Sequence, residues 1–245
     1  MNLMNSFPEK SPEELLKIES MFYLHLCDVI VETFKSFTIS EKEIQKRMVL
    51  INPELPDKYF AEGRSLLLAG GHYNNWEWIA TSLHQQIQHT AAALYTPLSN
   101  TFFEQKMQST RGRFGLKMIP TKNASAFFEA YKNQLTATVF GIDQSPRHPS
   151  RCHWMHFLNQ DTGVMFGLEK YARELDCPVL FSNITKVKRG YYSLRFSLLT
   201  DQPRNESNGM IVEKATQLLE QQIISLPQYW LWTHKRWKHK KPVES

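Results

Sequence analysis

The chain has 245 residues, 42% of them hydrophobic and 22% charged, a balance that implies a folded core and excludes a disordered or low-complexity chain. A formal charge of +5 favours anionic partners (nucleic acid, a phospholipid surface or an acidic carrier) without choosing among them. Three cysteines, Cys27, Cys152 and Cys177, make no C-x-x-C pair, which suits a reducing compartment and argues against a disulfide framework.

Met1 to Lys17 has no apolar centre of the signal-peptide kind. Nor does any apolar run approach the roughly 20 residues that cross a bilayer. Ser11-Pro12-Glu13-Glu14 is a capping box with proline at the first helical position. It predicts an amphipathic helix to about Ser36, carrying Leu15, Ile18, Phe22, Leu26, Val29, Ile30 and Phe34 at three- and four-residue spacing. Ser40-Glu41-Lys42-Glu43 predicts a shorter helix through Val49. Asn52 to Gly63 reads as a turn and a brief helix that Gly63 stops. Residues 1–63 are therefore expected to form a helical lead-in, packed on a core of residues 64–245, the whole chain being one domain.

From Ser65 the pattern becomes short apolar runs alternating with helical segments. Strands are predicted over Ser65–Ala69, Thr90–Tyr95, Lys117–Ile119 and Thr136–Phe140, with helices over Asn75–Gln86, Asn100–Thr110 and Ala124–Asn133 between them. After an irregular loop come a helix over Gly163–Leu175, two strands (Val179–Thr185 and Tyr191–Leu199) across the Arg189-Gly190 turn, and a closing helix over Gly209–Ser225. The fold class implied is α/β, a mostly parallel sheet flanked by helices, with one hairpin near the end. Sites in such sheets gather where strands end. Three polar segments leave strands here: His72 with its neighbours, Tyr95 to Asn100, and Gly141 to Gln144.

The first of these is the best candidate for chemistry. In Leu66-Leu67-Leu68-Ala69-Gly70-Gly71-His72-Tyr73-Asn74-Asn75-Trp76-Glu77-Trp78 a strand gives way to a turn and then a helix. On one regular helix, His72 and Glu77 would point about 140° apart. They can meet only if His72 lies on the turn and Glu77 reaches back from the helix, a turn that Gly70 and Gly71 would allow. The pair is then a candidate base with an orienting carboxylate. The plainer alternative is a polar turn in which Asn74 or Asn75 caps the helix.

Elsewhere, Arg111 and Arg113 are candidates to bind a phosphate or face a developing oxyanion. Asp143 could orient an Arg or His side chain, or cap its loop. Cys152-His153-x-x-His156 has no second ligand cluster at suitable spacing, so no metal is expected. In the tail, Trp230, Trp232 and Trp237 alternate with Lys235, Arg236, Lys238, Lys240 and Lys241. That suits an anionic membrane interface or a nucleic-acid surface. The plainer alternative is that Tyr229, Leu231 and Trp232 pack on the core. The expectation is a mixture, with the tryptophans nearest Leu231 packed and the last residues on the membrane. No recognition helix, RRM or zinc pattern supports nucleic acid.

Gly71-His72-Tyr73-Asn74-Asn75-Trp76-Glu77-Trp78 resembles the H-x4-D/E block of the late acyltransferases of lipid A biosynthesis, a family related to the glycerol-phosphate and lysophospholipid acyltransferases. Tyr95-Thr96-Pro97-Leu98-Ser99-Asn100, Arg111-Gly112-Arg113-Phe114-Gly115, Asp143-Gln144, Phe157-Leu158-Asn159 and Gln228 to Lys238 resemble further family blocks in consistent order. The matches span roughly residues 65–240. The resemblance implies a glycerol-phosphate-acyltransferase-like fold with His72 and Glu77 catalytic, and Arg111, Arg113, Asp143 and Asn100 binding substrate. It also implies transfer of a fatty acyl chain from an acyl-carrier-protein thioester to a hydroxyl of a lipid A precursor or related lipid, with no other cofactor. The expected partners are acyl-carrier protein, a membrane lipid acceptor and, through the tail, the membrane surface. The expected place is the cytoplasmic face of the bacterial inner membrane, held peripherally. Family members usually begin with a hydrophobic membrane segment, and this sequence reads as starting some way into such a protein. A lysophospholipid or aminolipid is the alternative acceptor, and a basic nucleic-acid-binding module the alternative of a different class.

Overall fold

Burial along the first core strand sets the architecture. Leu67 and Ala69 pack into one hydrophobic cluster, Leu66 and Leu68 into another, because successive strand residues point to opposite faces. A strand buried on both faces needs cover on both, the usual condition of a parallel sheet. The computed structural model describes residues 2–242 and supplies that cover as helices on either side of a seven-stranded sheet.

In chain order the elements are α1 (Asn2–Ser6), α2 (Pro12–Ser36), α3 (Glu41–Arg47), β1 (Met48–Leu50), α4 (Glu54–Ala61), β2 (Leu66–Gly70), α5 (Trp76–Ser82), β3 (Thr90–Tyr95) and α6 (Thr101–Arg111). There follow β4 (Lys117–Pro120), α7 (Ala124–Ala130), β5 (Thr136–Gly141), β6 (Cys152–Phe157), β7 (Gln160–Met165), α8 (Gly167–Leu175), β8 (Val179–Lys188), β9 (Tyr191–Thr200) and α9 (Met210–Ser225). The main sheet runs β1-β9-β8-β2-β5-β3-β4. All of its neighbours are parallel except the β8–β9 hairpin. The α/β class and the late hairpin are as the sequence predicts.

Strand order creates a crevice. From β2 the chain crosses over β5 to reach β3, and from β5 it returns to the other side of β2 to build β8. The connections therefore leave β2 and β5 in opposite directions, the topological switch at which open α/β sheets place their sites. The register across it is tight: Gly70 pairs with Gly141, and the Ile142 N–H donates to the Gly70 carbonyl at 3.0 Å.

Two segments differ from the sequence expectation. Met48 and Val49, predicted as the end of a helix, form with Leu50 an edge strand beside β9. Met48 and Leu50 are buried while Val49 is exposed, an alternation of period two over a stretch too short to read as a pattern. Residues 1–63 thus add a strand to the sheet as well as helices. The supposed irregular loop and the first residues of the supposed helix at Gly163 form an antiparallel hairpin, β6–β7. Its turn is Leu158-Asn159, both with positive φ (50° and 60°). This is a geometry usually signalled by Asn-Gly, and a leucine there gives no signal.

The lead-in also fixes the start of α5. Ser11 and Glu14 complete the predicted capping box, and α2 runs to Ser36 as expected. From α2, the buried Glu32 carboxylate accepts hydrogen bonds from Asn75 Nδ2 at 2.6 Å and Tyr192 Oη at 2.8 Å. Burial raises its pKa despite those two bonds. The Trp78 indole donates to the Glu32 carbonyl and to Ser36.

Candidate active site

Turn chemistry places the histidine. Between β2 and α5 the chain makes a tight turn in which Asn74 takes the left-handed conformation, φ 54°, a region that asparagine tolerates better than most residues. Gly70 and Gly71 keep negative φ, so the conformational freedom expected of them is not what the turn uses. Gly71 is required for a different reason. A Cβ there would lie 2.6 Å from Leu219 of α9 and 3.1 Å from Asp143 Oδ2. Asn75 caps α5, its Oδ1 accepting from the Trp78 N–H at 2.9 Å. His72 consequently lies outside the helix, as the sequence geometry requires.

The carboxylate that meets it is Asp143 rather than Glu77. His72 Nδ1 is 2.7 Å from Asp143 Oδ1, and the His72 backbone N–H donates to Asp143 Oδ2 at 2.7 Å. The register explains the meeting, since His72 and Asp143 each stand two residues beyond the paired Gly70 and Gly141. Trp230 completes the anchorage, its indole N–H donating to Asp143 Oδ2 at 2.8 Å. The Asp143 side chain is 3% exposed and that of His72 23%. Burial opposes charge on Asp143, but the His72 charge and hydrogen bond, with the Trp230 indole, outweigh it and hold the carboxyl below its ordinary pKa. Burial likewise pulls the imidazole down. The Asp143 charge and hydrogen bond, helped by the charge of Glu77, more than offset that, and the net shift is upward.

Glu77 faces the other way. Arg111 grips it with two hydrogen bonds, Nε to Oε2 at 2.8 Å and Nη2 to Oε1 at 2.6 Å. The Trp76 indole donates to Oε1 at 3.0 Å. The Trp76 ring stands edge-on to His72, centroids 5.3 Å apart. Glu77 therefore acts on the imidazole through its charge and through Trp76, without a direct hydrogen bond. The expected His72–Glu77 contact gives way to two separate pairs, because the bidentate fork of arginine matches a carboxylate better than an imidazole does. Arg111 also borders a cavity of about 260 Å³ with Tyr95, Leu98, Phe103, Met107 and Met118.

Arg113 and Asn100 are not brought to this pair. Arg113 donates to the Phe37 carbonyl at 3.2 Å, and the Asn100 side chain caps α6 by accepting from the Phe103 N–H at 3.1 Å. The Cys152/His153/His156 loop is also spent locally. His153 pairs with Glu213 at 2.6 Å, and Cys152 Sγ lies 3.0 Å from the Pro149 carbonyl. Among the described residues no group of three or more such side chains is placed to hold a metal.

The tryptophans nearest Leu231 pack on the core, as the sequence reading has it. Trp230 and Trp232 are buried, as is Arg236 at 3% exposure, and the Trp237 indole donates to Thr162. The Leu231 N–H donates to the His72 carbonyl, and the Asn74 N–H to the Tyr229 carbonyl. The backbone of residues 229–231, with Trp230 bridged to Tyr73, holds the turn of His72 in place. Trp230, on the Asp143 carboxylate, and Gln144, whose amide nitrogen lies 3.4 Å from His72 Nε2, are the neighbours of the pair that sequence reasoning did not name as site residues. The D-Q pair was the available pointer to Gln144; for Trp230 the sequence pointed to core packing but not to Asp143 as its partner.

A mostly parallel sheet whose switch-point crevice presents a carboxylate-held imidazole defines an α/β protein of the enzyme type. The chain belongs to the bacterial lipid A biosynthesis acyltransferase family, whose sequence model matches residues 1–239. Membership makes acyl transfer within lipid A biosynthesis its class of activity. No curated protein matches the chain.

Proposed function

We propose that this protein moves a fatty acyl chain from an acyl-carrier-protein thioester to a hydroxyl of a lipid A precursor, with His72 as general base. The observation that carries the reading is the His72–Asp143 contact at 2.7 Å. It commits Nδ1 and its proton to the carboxylate and leaves the Nε2 lone pair for a substrate hydroxyl. The hydroxyl gives its proton to Nε2 as its oxygen attacks the thioester carbonyl. Asp143 stabilises the imidazolium, and the imidazolium then returns the proton to the departing thiolate. The acceptor supplies the nucleophile, so no enzyme nucleophile is required.

Arg111, neutralised by Glu77, organises the wall beside His72 in this reading. Arg113 and Asn100 contribute to substrate binding only if the substrate reaches the outer rim, since their hydrogen bonds are elsewhere. A lysophospholipid or aminolipid acceptor would use the same chemistry.

The reading places the protein peripherally at the cytoplasmic face of the inner membrane. No helix among the described residues is long and apolar enough to cross a bilayer. Leu16, Tyr23, Leu24, Ile30, Val31 and Phe34 of α2 are all exposed and support membrane contact better than the buried tail tryptophans do. With sedimentable vesicles of anionic phospholipid, Leu24→Glu/Val31→Glu is expected to weaken binding at least tenfold. Lys240→Ala/Lys241→Ala is expected to change it less than twofold.

Transfer itself is tested with purified protein, acyl-carrier-protein thioesters and a detergent-dispersed lipid A precursor. His72→Ala is expected to lower the rate by about 10²–10⁴-fold, the usual worth of a positioned general base. Undiminished transfer would remove His72 from the mechanism.

A further inference from the structure

We propose that Gln144 is a further catalytic residue, its side-chain amide donating to the oxyanion that forms when the acceptor hydroxyl attacks the acyl carbonyl. This rests on the acyl-transfer reading above and concerns a role which that reading leaves unfilled. A thioester carbonyl under attack places a full negative charge on its oxygen, and preorganised donors at that point are commonly the largest single contribution to catalysis.

Most of the donors around His72 are engaged by protein acceptors. Arg111 gives Nε–H and one Nη2–H to the two oxygens of Glu77, which fixes the plane of its guanidinium. The His72 N–H and the Trp230 indole are taken by Asp143, and the Trp76 indole by Glu77. The Asn74 N–H donates to the Tyr229 carbonyl, and the Ser145 N–H donates to His234 Nε2 at 3.0 Å. The Gln144 side chain differs, because its amide nitrogen faces His72 Nε2 at 3.4 Å. With the Nδ1 proton given to Asp143, Nε2 carries a lone pair, so the NH₂ end of the amide is the end that turns toward it. A separation of 3.4 Å is long for a hydrogen bond. The amide is therefore weakly held and easily surrendered to a better acceptor.

Rigid neighbours fix where this group sits. Asp143 on one side is pinned by three hydrogen bonds, and Ser145 on the other is pinned by His234. Gln144 is presented between them at the same strand exit as the carboxylate. When a hydroxyl binds Nε2, it displaces the amide from the ring and leaves the NH₂ beside the reacting oxygen. As the O–H proton passes to Nε2 and the new C–O bond forms, the carbonyl π pair moves onto oxygen, where the Gln144 N–H meets it. Collapse restores the carbonyl and breaks the C–S bond. The thiolate leaves with the proton from His72.

The test compares Gln144→Ala, Gln144→Met (similar length, no donor) and Gln144→Glu with wild type in the transfer assay. Loss of the donor in Gln144→Ala and Gln144→Met is expected to lower kcat about 10²–10³-fold, with KM within threefold and the acid limb of the pH profile unmoved. Gln144→Glu sets an anion beside the imidazole, so it should lower kcat at least as far and move the acid limb to higher pH. A readout independent of turnover is calorimetric binding of a long-chain acyl trifluoromethyl ketone, whose hydrate mimics the tetrahedral oxyanion. Affinity should fall at least tenfold in both uncharged variants. If either uncharged variant folds and keeps kcat within threefold of wild type, or binds the ketone unchanged, the proposal is overturned. Loss of transfer in His72→Ala alongside an active Gln144→Ala would reject only the role of Gln144, whereas full activity in His72→Ala would reject the acyl-transfer mechanism itself.

Discussion

Asp143→Asn is expected to lower kcat by about 10²–10⁴-fold and to move the acid limb of the pH profile downward. The first effect follows from what one amide can replace. In the native site Oδ1 meets the ring at 2.7 Å, while Oδ2 accepts from the His72 N–H and the Trp230 indole. An asparagine offers one acceptor oxygen and two N–H donors. If its oxygen stays with the two N–H groups on the Oδ2 side, its NH₂ confronts Nδ1. The imidazole then keeps its proton on Nε2, the wrong tautomer for a base at that nitrogen. The second effect is a sign argument. As the proposed base, His72 acts only when neutral, and the Asp143 charge is the strongest of the influences that raise its pKa above the ordinary value of about 6.5. Wild-type activity should therefore fall as pH drops through a value above 6.5. Removal of the anion lowers that value and carries the limb with it. Rate–pH profiles of the two proteins check both effects. An Asp143→Asn limb that coincides with wild type would show that Asp143 does not govern the base.

Much of the frame behind this pair is readable in the sequence, and the failures share a cause. The α2 capping box, the Thr90–Tyr95 strand and the helix capped by Asn100 are set by residues within a few positions of each other. Local chemistry decides such elements. The partner of His72 is a matter of register between β2 and β5, strands 70 residues apart that pair in parallel. No turn fixes register in a parallel pair, as it does in a hairpin. Spacing along the chain therefore favoured Glu77, five residues from His72, over Asp143, although both lie at strand or helix ends near the same crevice. The burial of Trp230 beside Leu231 is expected from the sequence, but its partner is not legible there for the same reason. Only its long-range contacts with Asp143 and Tyr73 show what it anchors. Among the described residues, the exposed apolar surface concentrates instead on α2. The predicted amphipathic helix was correct in extent, but its pattern could not say how much apolar surface the core would leave uncovered.

Glu77 and Arg111 offer the sharpest separation between the two arrangements of the site. If Glu77 orients His72 directly, Glu77→Gln should displace the acid limb as Asp143→Asn does, and Arg111 should be dispensable for stability. The structure predicts otherwise. The Glu77 side chain is 10% exposed and that of Arg111 22%, and the pair joins α5 to α6 through two short hydrogen bonds. Removing one member strands the other in a poorly solvated site, which costs about 3 kcal/mol for pairs of this kind. Removing both with uncharged residues of similar volume costs less than the sum, because no charge is left unpaired. Glu77→Gln and Arg111→Met should each lower the unfolding free energy by about 3 kcal/mol, and the double variant should lie closer to wild type than their sum. Chemical denaturation of the four proteins measures the coupling. The same four proteins then report on catalysis. Glu77→Gln withdraws a negative charge that helps raise the His72 pKa, so the limb shifts in the same direction as for Asp143→Asn but less far, since Asp143 keeps its hydrogen bond and its charge. In the double variant the Arg111 charge that opposed Glu77 is gone as well, and the limb should return toward wild type. Additive losses of stability, or a Glu77→Gln limb displaced as far as that of Asp143→Asn, would restore Glu77 to the place beside the histidine that its spacing first implied.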